Sequence, residues 1–277
     1  MPAVTPVVVA VVLVAGAIAG GLGSTLGIGG GILLVPFLTV ALGWPIGVAA
    51  AISLTTVIAT SSAVSAGRTG SHLVNFRLGM VLEVATAAGS LLGGITAQYL
   101  APHTVERLFA VCTIAVGAAV LSRINTRNII HGDTLDYGPL GGRFVDVETG
   151  GVVTYRVKRL PLALVASFVA GNVSSLLGIG GGVIKVPVLN SWCGVPMRAA
   201  AATSAFMVGV TATAGAIIYY GSGQLVPALA AAAILGVQAG TAIGLRLGEM
   251  MSARALKLLL VVVLFSVAVT MLVRSLS

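Results

Sequence analysis

The segment Leu26-Gly27-Ile28-Gly29-Gly30-Gly31 returns, residue for residue, as Leu177-Gly178-Ile179-Gly180-Gly181-Gly182. Each copy runs into an apolar stretch that ends in Val-Pro, at Val35-Pro36 and Val186-Pro187. The same offset of 151 residues then aligns Leu38 with Leu189, Gly43 with Gly194, Pro45 with Pro196 and Ser53 with Ser204. Three consecutive glycines break a helix, because glycine loses more backbone freedom on ordering than any other residue. A break at matching places in two apolar halves points to a duplicated membrane unit, with its binding site at the interruptions.

Composition agrees. Of 277 residues, 57% are hydrophobic and 8% charged, against about 25% charged in an average soluble domain. Lipid is therefore the solvent for most of the chain. The net charge of +8 is scattered between apolar runs, without a basic stripe or interleaved aromatics, so nucleic acid is not a partner. The basic residues read as topology determinants and headgroup contacts. Cys112 and Cys193 show neither metal-ligand spacing nor a disulfide framework; they read as small buried hydrophobes, with a redox role for Cys193 as the sharper alternative. The apolar N-terminus lacks a basic flank and leads straight into the first glycine cluster, which predicts a retained helix, not a cleaved signal.

Apolar runs fall at 7–26, 29–42, 46–66, 79–100 and 105–122, and again at 160–177, 180–193, 197–219, 226–247 and 255–275. Most approach the ~20 residues of a spanning helix. The runs after the glycine clusters are the exceptions: about 14 residues give ~21 Å of helix, short of a ~30 Å hydrocarbon core. The fold expected is an all-α polytopic membrane protein of eight to ten segments, each half opening with a broken or re-entrant hairpin. Gly89 and Gly93 are matched by Gly236 and Gly240, a small-residue spacing that lets helices approach closely in lipid.

If each run changes side and the N-terminus lies outside, most Lys and Arg fall inside, including Arg68, Arg77, Arg198, Arg246, Arg254 and Lys257. Arg107 and Arg274 fall outside. The second half is then inverted relative to the first, and both termini lie outside. Three parts follow: a first repeat (1–122), a polar cytoplasmic linker (123–159) and a second repeat (160–277). Within the linker, Arg143–Val147 and Val152–Val157 flank a turn and predict a β-hairpin. An isolated hairpin is marginal in water, so it is expected to pack on the membrane part or a partner.

Several residues carry candidate chemistry. Gly27, Gly29, Gly30 and Gly31, with Gly178, Gly180, Gly181 and Gly182, leave backbone groups without intrahelical partners. The half-helix that follows each cluster offers N–H donors and partial positive charge to an anion. The competing reading is that these glycines only permit tight packing. Lys185 replaces Leu34 of the first copy in an apolar run; it either neutralises an anion or snorkels to an interface. Glu83 is a candidate coupling carboxylate, or a partner for a basic residue. Ser24, Thr25, Asn172, Ser174 and Ser175 lie beside the breaks, and Ser53 and Ser204 on the next long helix of each half. Ser53, Thr56 and Thr60 share a helical face, with Thr203, Ser204, Thr211 and Thr213 on the matching helix; such hydroxyls serve equally as interhelical hydrogen bonds. Gln98 and Gln238 read as polar glue. His72, His103 and His131 lie in or beside loops without ligand partners, and no nucleophile, phosphate loop, cofactor motif or metal site is indicated.

The doubled glycine motif, each copy with its Val-Pro and a Gly-x-Pro (Gly43-Trp44-Pro45 and Gly194-Val195-Pro196), resembles the sulfite exporter TauE/SafE family of membrane transporters. The resemblance covers nearly the whole chain apart from residues 123–159. It implies movement of sulfur-containing anions such as sulfite, sulfonates or sulfoacetate through a bacterial or archaeal inner membrane. A secondary carrier working by alternating access is expected, with a passive anion channel or a non-transporting scaffold as the rivals. The sequence leaves substrate, direction, coupling ion and oligomeric state open.

Overall fold

The computed structural model describes residues 4–67, 73–122, 130–131, 138–145 and 151–276. Arg68, His72 and parts of the polar linker, including the hairpin turn at 146–150, lie outside the described residues. The elements run α1 (Pro6–Leu26), α2 (Gly31–Pro36) continued by a π turn (Phe37–Ala41), α3 (Ile46–Gly67), α4 (Phe76–Tyr99), α5 (Pro102–Ser122), β1 (Ile130–His131), β2 (Gly142–Val145), β3 (Val152–Tyr155), α6 (Leu160–Leu177), α7 (Gly182–Ser191), α8 (Met197–Gly221), α9 (Pro227–Met250) and α10 (Ala253–Leu276).

Seven of these helices are long and apolar enough to cross a membrane: α1, α3, α4, α6, α8, α9 and α10. Helix α5 is also 21 residues long but carries His103, Glu106 and Arg107 near its start. The outer faces are bare hydrocarbon: Val7, Val84, Leu235 and Ile243 are between 63% and 75% exposed. So broad an apolar surface is stable only against lipid.

Local chemistry sets the boundaries. Thr5 accepts a hydrogen bond from the Val8 amide and Pro6 opens α1. Gly27 closes α1 in the left-handed region, its N–H donating to the Gly23 carbonyl. Helix α6 repeats the pattern, closing at Gly178 with its N–H on the Ser174 carbonyl. The short helices are shorter than the apolar runs, 10 residues for α7 and 11 for α2 with its π turn. Glycines in the left-handed region take up the start of each run. Pro36, which has no N–H to donate, precedes the widened turn.

Contacts come in pairs under exchange of the two halves. Helix α1 lies on α9 as α6 lies on α4, while α3 packs on α8 and α5 on α10. The first two seams are glycine-lined. A methyl group on Gly236 or Gly240 would overlap the backbone of Leu13 or Ala17, and one on Gly89 or Gly93 the backbone of Phe168 or Asn172. These matches advance in the same direction along both helices, so α1 runs parallel to α9 and α4 parallel to α6. By contrast α3 and α8 cross antiparallel: Val57 and Val208 flank the same glycines, while Ser61, further along α3, donates to the carbonyl of Ala205, further back on α8.

The linker hairpin is present, with β2 and β3 antiparallel (Phe144 opposite Val153) and the short β1 added on the far side of β3. Phe144, Val153 and Tyr155 bury themselves against Leu78 and Leu82 of α4, Leu189 of α7, and Ala199 and Met207 of α8. Asn75, which caps α4 through the Leu78 amide, also donates to the carbonyls of Leu140 and Gly141 and to the Tyr155 hydroxyl. Cys193 is buried in the same cluster, its carbonyl accepting from the Lys158 amide.

Candidate functional site

The two glycine breaks meet. A methyl group built on Gly31 would lie 2.9 Å from the Gly178 carbonyl oxygen, and one on Gly182 would lie 2.6 Å from that of Gly27. Gly29 and Gly180, both at φ +83, abut the same pair of side chains, Val57 of α3 and Val208 of α8. That conformation is costly for any residue with a Cβ. Ser53 donates to the Gly178 carbonyl at 2.5 Å. Among the described residues the amides of Gly29, Gly30, Gly180 and Gly181 make no backbone hydrogen bond. Unpaired N–H groups at a helix start are anion-binding groups.

Hydroxyls gather on the second break. Ser204 Oγ lies 3.2 Å and Ser174 Oγ 3.4 Å from where a methyl would stand on Gly182 and Gly181, respectively. Both serines are wholly buried, and among the described residues neither hydroxyl has a hydrogen-bond partner; the same holds for Ser175, which faces Gly94 and Gly215. Buried hydroxyls without partners are uncommon, since leaving one unmet costs ~1–3 kcal/mol.

Lys185 stands one turn into α7 and is 1% exposed, which excludes snorkelling to an interface. Its Nζ donates to Thr211 Oγ1 at 3.2 Å and lies 3.8 Å from Glu83 Oε2, while Thr211 Oγ1 donates to Glu83 Oε1 at 2.8 Å. In a membrane interior the pair is neutral as a unit, which is how two such charges are tolerated. Ser204, Val208 and Thr211 follow i, i+4, i+7 spacing, so one face of α8 touches the glycine break and then the ion pair.

Other candidates stand elsewhere. Ser24 and Thr25 face Gly244 and Gly248 of α9, and their hydroxyls bond to the carbonyls of Gly21 and Leu22 within α1. Asn172 belongs to the seam with α4, its backbone against Gly89 and Gly93. Thr56 and Thr60 hydrogen-bond to carbonyls of their own helix, Thr203 receives the Asn75 amide, and Thr213 is exposed. Gln98 accepts from Gln224 and Gln238 reaches the Ala59 carbonyl, both as polar links between helices.

A cavity of about 270 Å³ opens where α3 and α5 begin and α4 and α8 end, lined by Gln98, Gln224, Leu176 and Tyr219 among others. The Tyr219 hydroxyl donates to the Leu176 carbonyl at 3.3 Å, two residues before Gly178. The cavity thus ends close to the second break. Sequence reasoning missed Tyr219, and missed Val57 and Val208 because valine in an apolar helix carries no signal of its own.

A bundle of apolar helices whose paired, interrupted segments meet around buried polar groups defines a multi-pass membrane protein built like a transporter. The family model described as Sulfite exporter TauE/SafE matches residues 12–271, and the chain belongs to that family. It is also similar to a Bacillus subtilis (strain 168) protein described as "Probable membrane transporter protein YunE", 23% identical over 259 residues covering 87% of this chain and 89% of that protein. No solved structure matches the chain. The protein is a membrane transporter by family.

Proposed function

We propose that this protein is a secondary carrier for a small, sulfur-containing oxyanion, working by alternating access across the cytoplasmic membrane. One observation carries the reading: the two interrupted backbones meet with free amides on each, the buried hydroxyls of Ser174 and Ser204 stand on the second, and the Lys185–Glu83 pair lies further along the same face of α8. Amides and a nearby cation suit an anion, and hydroxyls complete oxyanion coordination. Gly29, Gly30, Gly180 and Gly181 supply the free amides, Gly27, Gly31, Gly178 and Gly182 form the turns and close contacts that present them, and Ser53 holds the second break in place. The antiparallel crossing of α3 and α8, beside parallel pairing of α1 with α9 and α4 with α6, supports a second half inverted on the first. That arrangement lets one half rock against the other about a fixed midplane site. The family supports sulfur oxyanions as the cargo, and the excess of Lys and Arg supports a cytoplasmic linker.

Purified protein in liposomes tests the proposal with radiolabelled sulfite, thiosulfate and methanesulfonate. A carrier gives saturable uptake and counter-exchange of at least one of them. Flux that does not saturate would instead identify a channel, and no flux of any of the three would reject anion transport in favour of a scaffold.

A further inference from the structure

Glu83, Thr211 and Lys185 form a unit that the duplication does not explain. The offset relating the halves places Leu34 opposite Lys185 and Thr60 opposite Thr211, and the offset relating the later glycines places Ala230 opposite Glu83. The counterparts are buried as well, yet they hold no charge. Packing alone is therefore satisfied at this level by a leucine, a threonine and an alanine. The charges stand at only one of the two places that the duplication creates for such a pair, Glu83 coming from the first half and Lys185 from the second.

Their geometry has a consequence for any anion that reaches Lys185. The pair is neutral while Glu83 and Lys185 face each other. An anion that takes the Lys185 ammonium leaves the Glu83 carboxylate without a counter-charge in an apolar interior. The charged groups on the elements around Glu83 are few. Helix α6 contains none, α8 has only Arg198 at its far end, α7 has only Lys185, and on α4 itself Arg77 stands at the start of the helix. The linker strands packed on Leu78 and Leu82 carry Arg143, which is exposed, and Tyr155, which bonds to Asn75. Among the described residues no second cation stands against Glu83, and a proton on its carboxylate restores neutrality.

The hydrogen bonds accommodate both states. Thr211 Oγ1 lies 2.8 Å from Glu83 Oε1 and 3.2 Å from the Met207 carbonyl oxygen. With Glu83 ionised, the threonine hydroxyl donates to it. With Glu83 protonated, the carboxylic acid donates to Thr211 and the hydroxyl turns to the Met207 carbonyl, so no donor is orphaned. The proton then sits on Oε1, the oxygen that faces Thr211, while Oε2 has no hydrogen-bond partner among the described residues.

We infer that Glu83 is a proton-binding site that couples transport, so that each monovalent anion bound at Lys185 is accompanied by one proton on Glu83, taken from and released to the same sides as the anion. The inference rests on the carrier reading above and adds the coupling ion and its stoichiometry. An O–H bond forms on Glu83 as the anion arrives and breaks as it leaves, and no net charge crosses.

The test uses radiolabelled methanesulfonate and thiosulfate, which do not change protonation near neutral pH. In wild-type proteoliposomes, acid outside should drive uptake, one pH unit sustaining up to about tenfold accumulation of methanesulfonate, because linkage equalises the two gradients. A lumenal pH dye should acidify in step with methanesulfonate entry. Glu83→Gln should keep counter-exchange of the anion while losing the accumulation driven by pH. Wild-type entry without acidification, or Glu83→Gln accumulation that still follows the pH gradient, would overturn the inference and leave the carrier standing. Loss of counter-exchange in a folded Glu83→Gln protein would also overturn it, by making the carboxylate part of anion binding itself. No exchange of methanesulfonate, thiosulfate or sulfite by the wild type would remove both readings together.

Discussion

The hydroxyl of Ser53 donates to the carbonyl oxygen of Gly178 across 2.5 Å, fastening a helix of one half to the interrupted backbone of the other. Its counterpart, Ser204, is equally buried and has no such partner among the described residues. The two serines should therefore respond differently to the same change. Ser53→Ala strands a buried carbonyl and should cost ~1–3 kcal/mol, read as a lower unfolding temperature in detergent. Ser204→Ala removes an unmet hydroxyl, so stability should hold or rise while anion affinity falls. Equal destabilisation by both would contradict the assigned roles.

The contact between the breaks leaves no room for a methyl group. Gly182→Ala would press a Cβ to 2.6 Å from the Gly27 carbonyl oxygen. The neighbour is backbone and cannot swing aside, so the expected loss is ~1–3 kcal/mol. Gly221→Ala is the control, because nothing lies within 4 Å of a Cβ there. It should be neutral or stabilising by up to ~1 kcal/mol. Unfolding followed by tryptophan fluorescence compares the two.

Removing one partner of the buried ion pair should harm more than removing both. Lys185→Met leaves Glu83 unpaired, with an expected cost of ~3–5 kcal/mol. Adding Glu83→Leu to that variant should restore much of the stability without restoring transport. A double variant no more stable than the single would show that the 3.8 Å pairing contributes little.

The linker hairpin brings a pH dependence of its own. Burial pushes the Tyr155 phenol above its ordinary range, with the Asn75 hydrogen bond acting the other way. A group whose folded value is raised contributes stability that is complete below its unfolded value of about 10 and lost as pH climbs through the folded one. Wild type should thus lose stability relative to Tyr155→Phe as pH rises beyond about 10. Parallel curves for the two proteins across that range would rule out the assignment.

Much of this was legible in the sequence because its signals are local. Residues 160–177 form α6 as their apolar run predicts, and the glycine clusters announce both breaks. The strands at Gly142–Val145 and Val152–Tyr155 follow from alternation around a turn. What proximity along the chain suggested was less dependable. Ser24 and Ser175 occupy matching places before the two breaks, yet one turns to α9 and the other to α4 and α8. Which way a side chain points depends on the neighbouring helix, and α1 and α6 have their closest neighbours in the opposite half. For the same reason the meeting of Lys185 with Glu83, from different halves, had no local signature. Glu83 and Lys185 were each conspicuous alone; only the fold shows that they answer one another.

The crossed pairing of α1 with α9 and α6 with α4 also bears on how such a protein is made. When the ribosome has finished the first half, two of its helices present glycine-notched seams whose mates have not yet been synthesised. The mate of α1 emerges only in the last fifth of the polypeptide. Until then those notches face lipid or an insertion chaperone, and neither half can reach its final form by itself. The early helices must therefore enter the membrane loosely and be clasped late, so a nascent chain cut short before α9 gives the quality-control machinery an open seam to recognise.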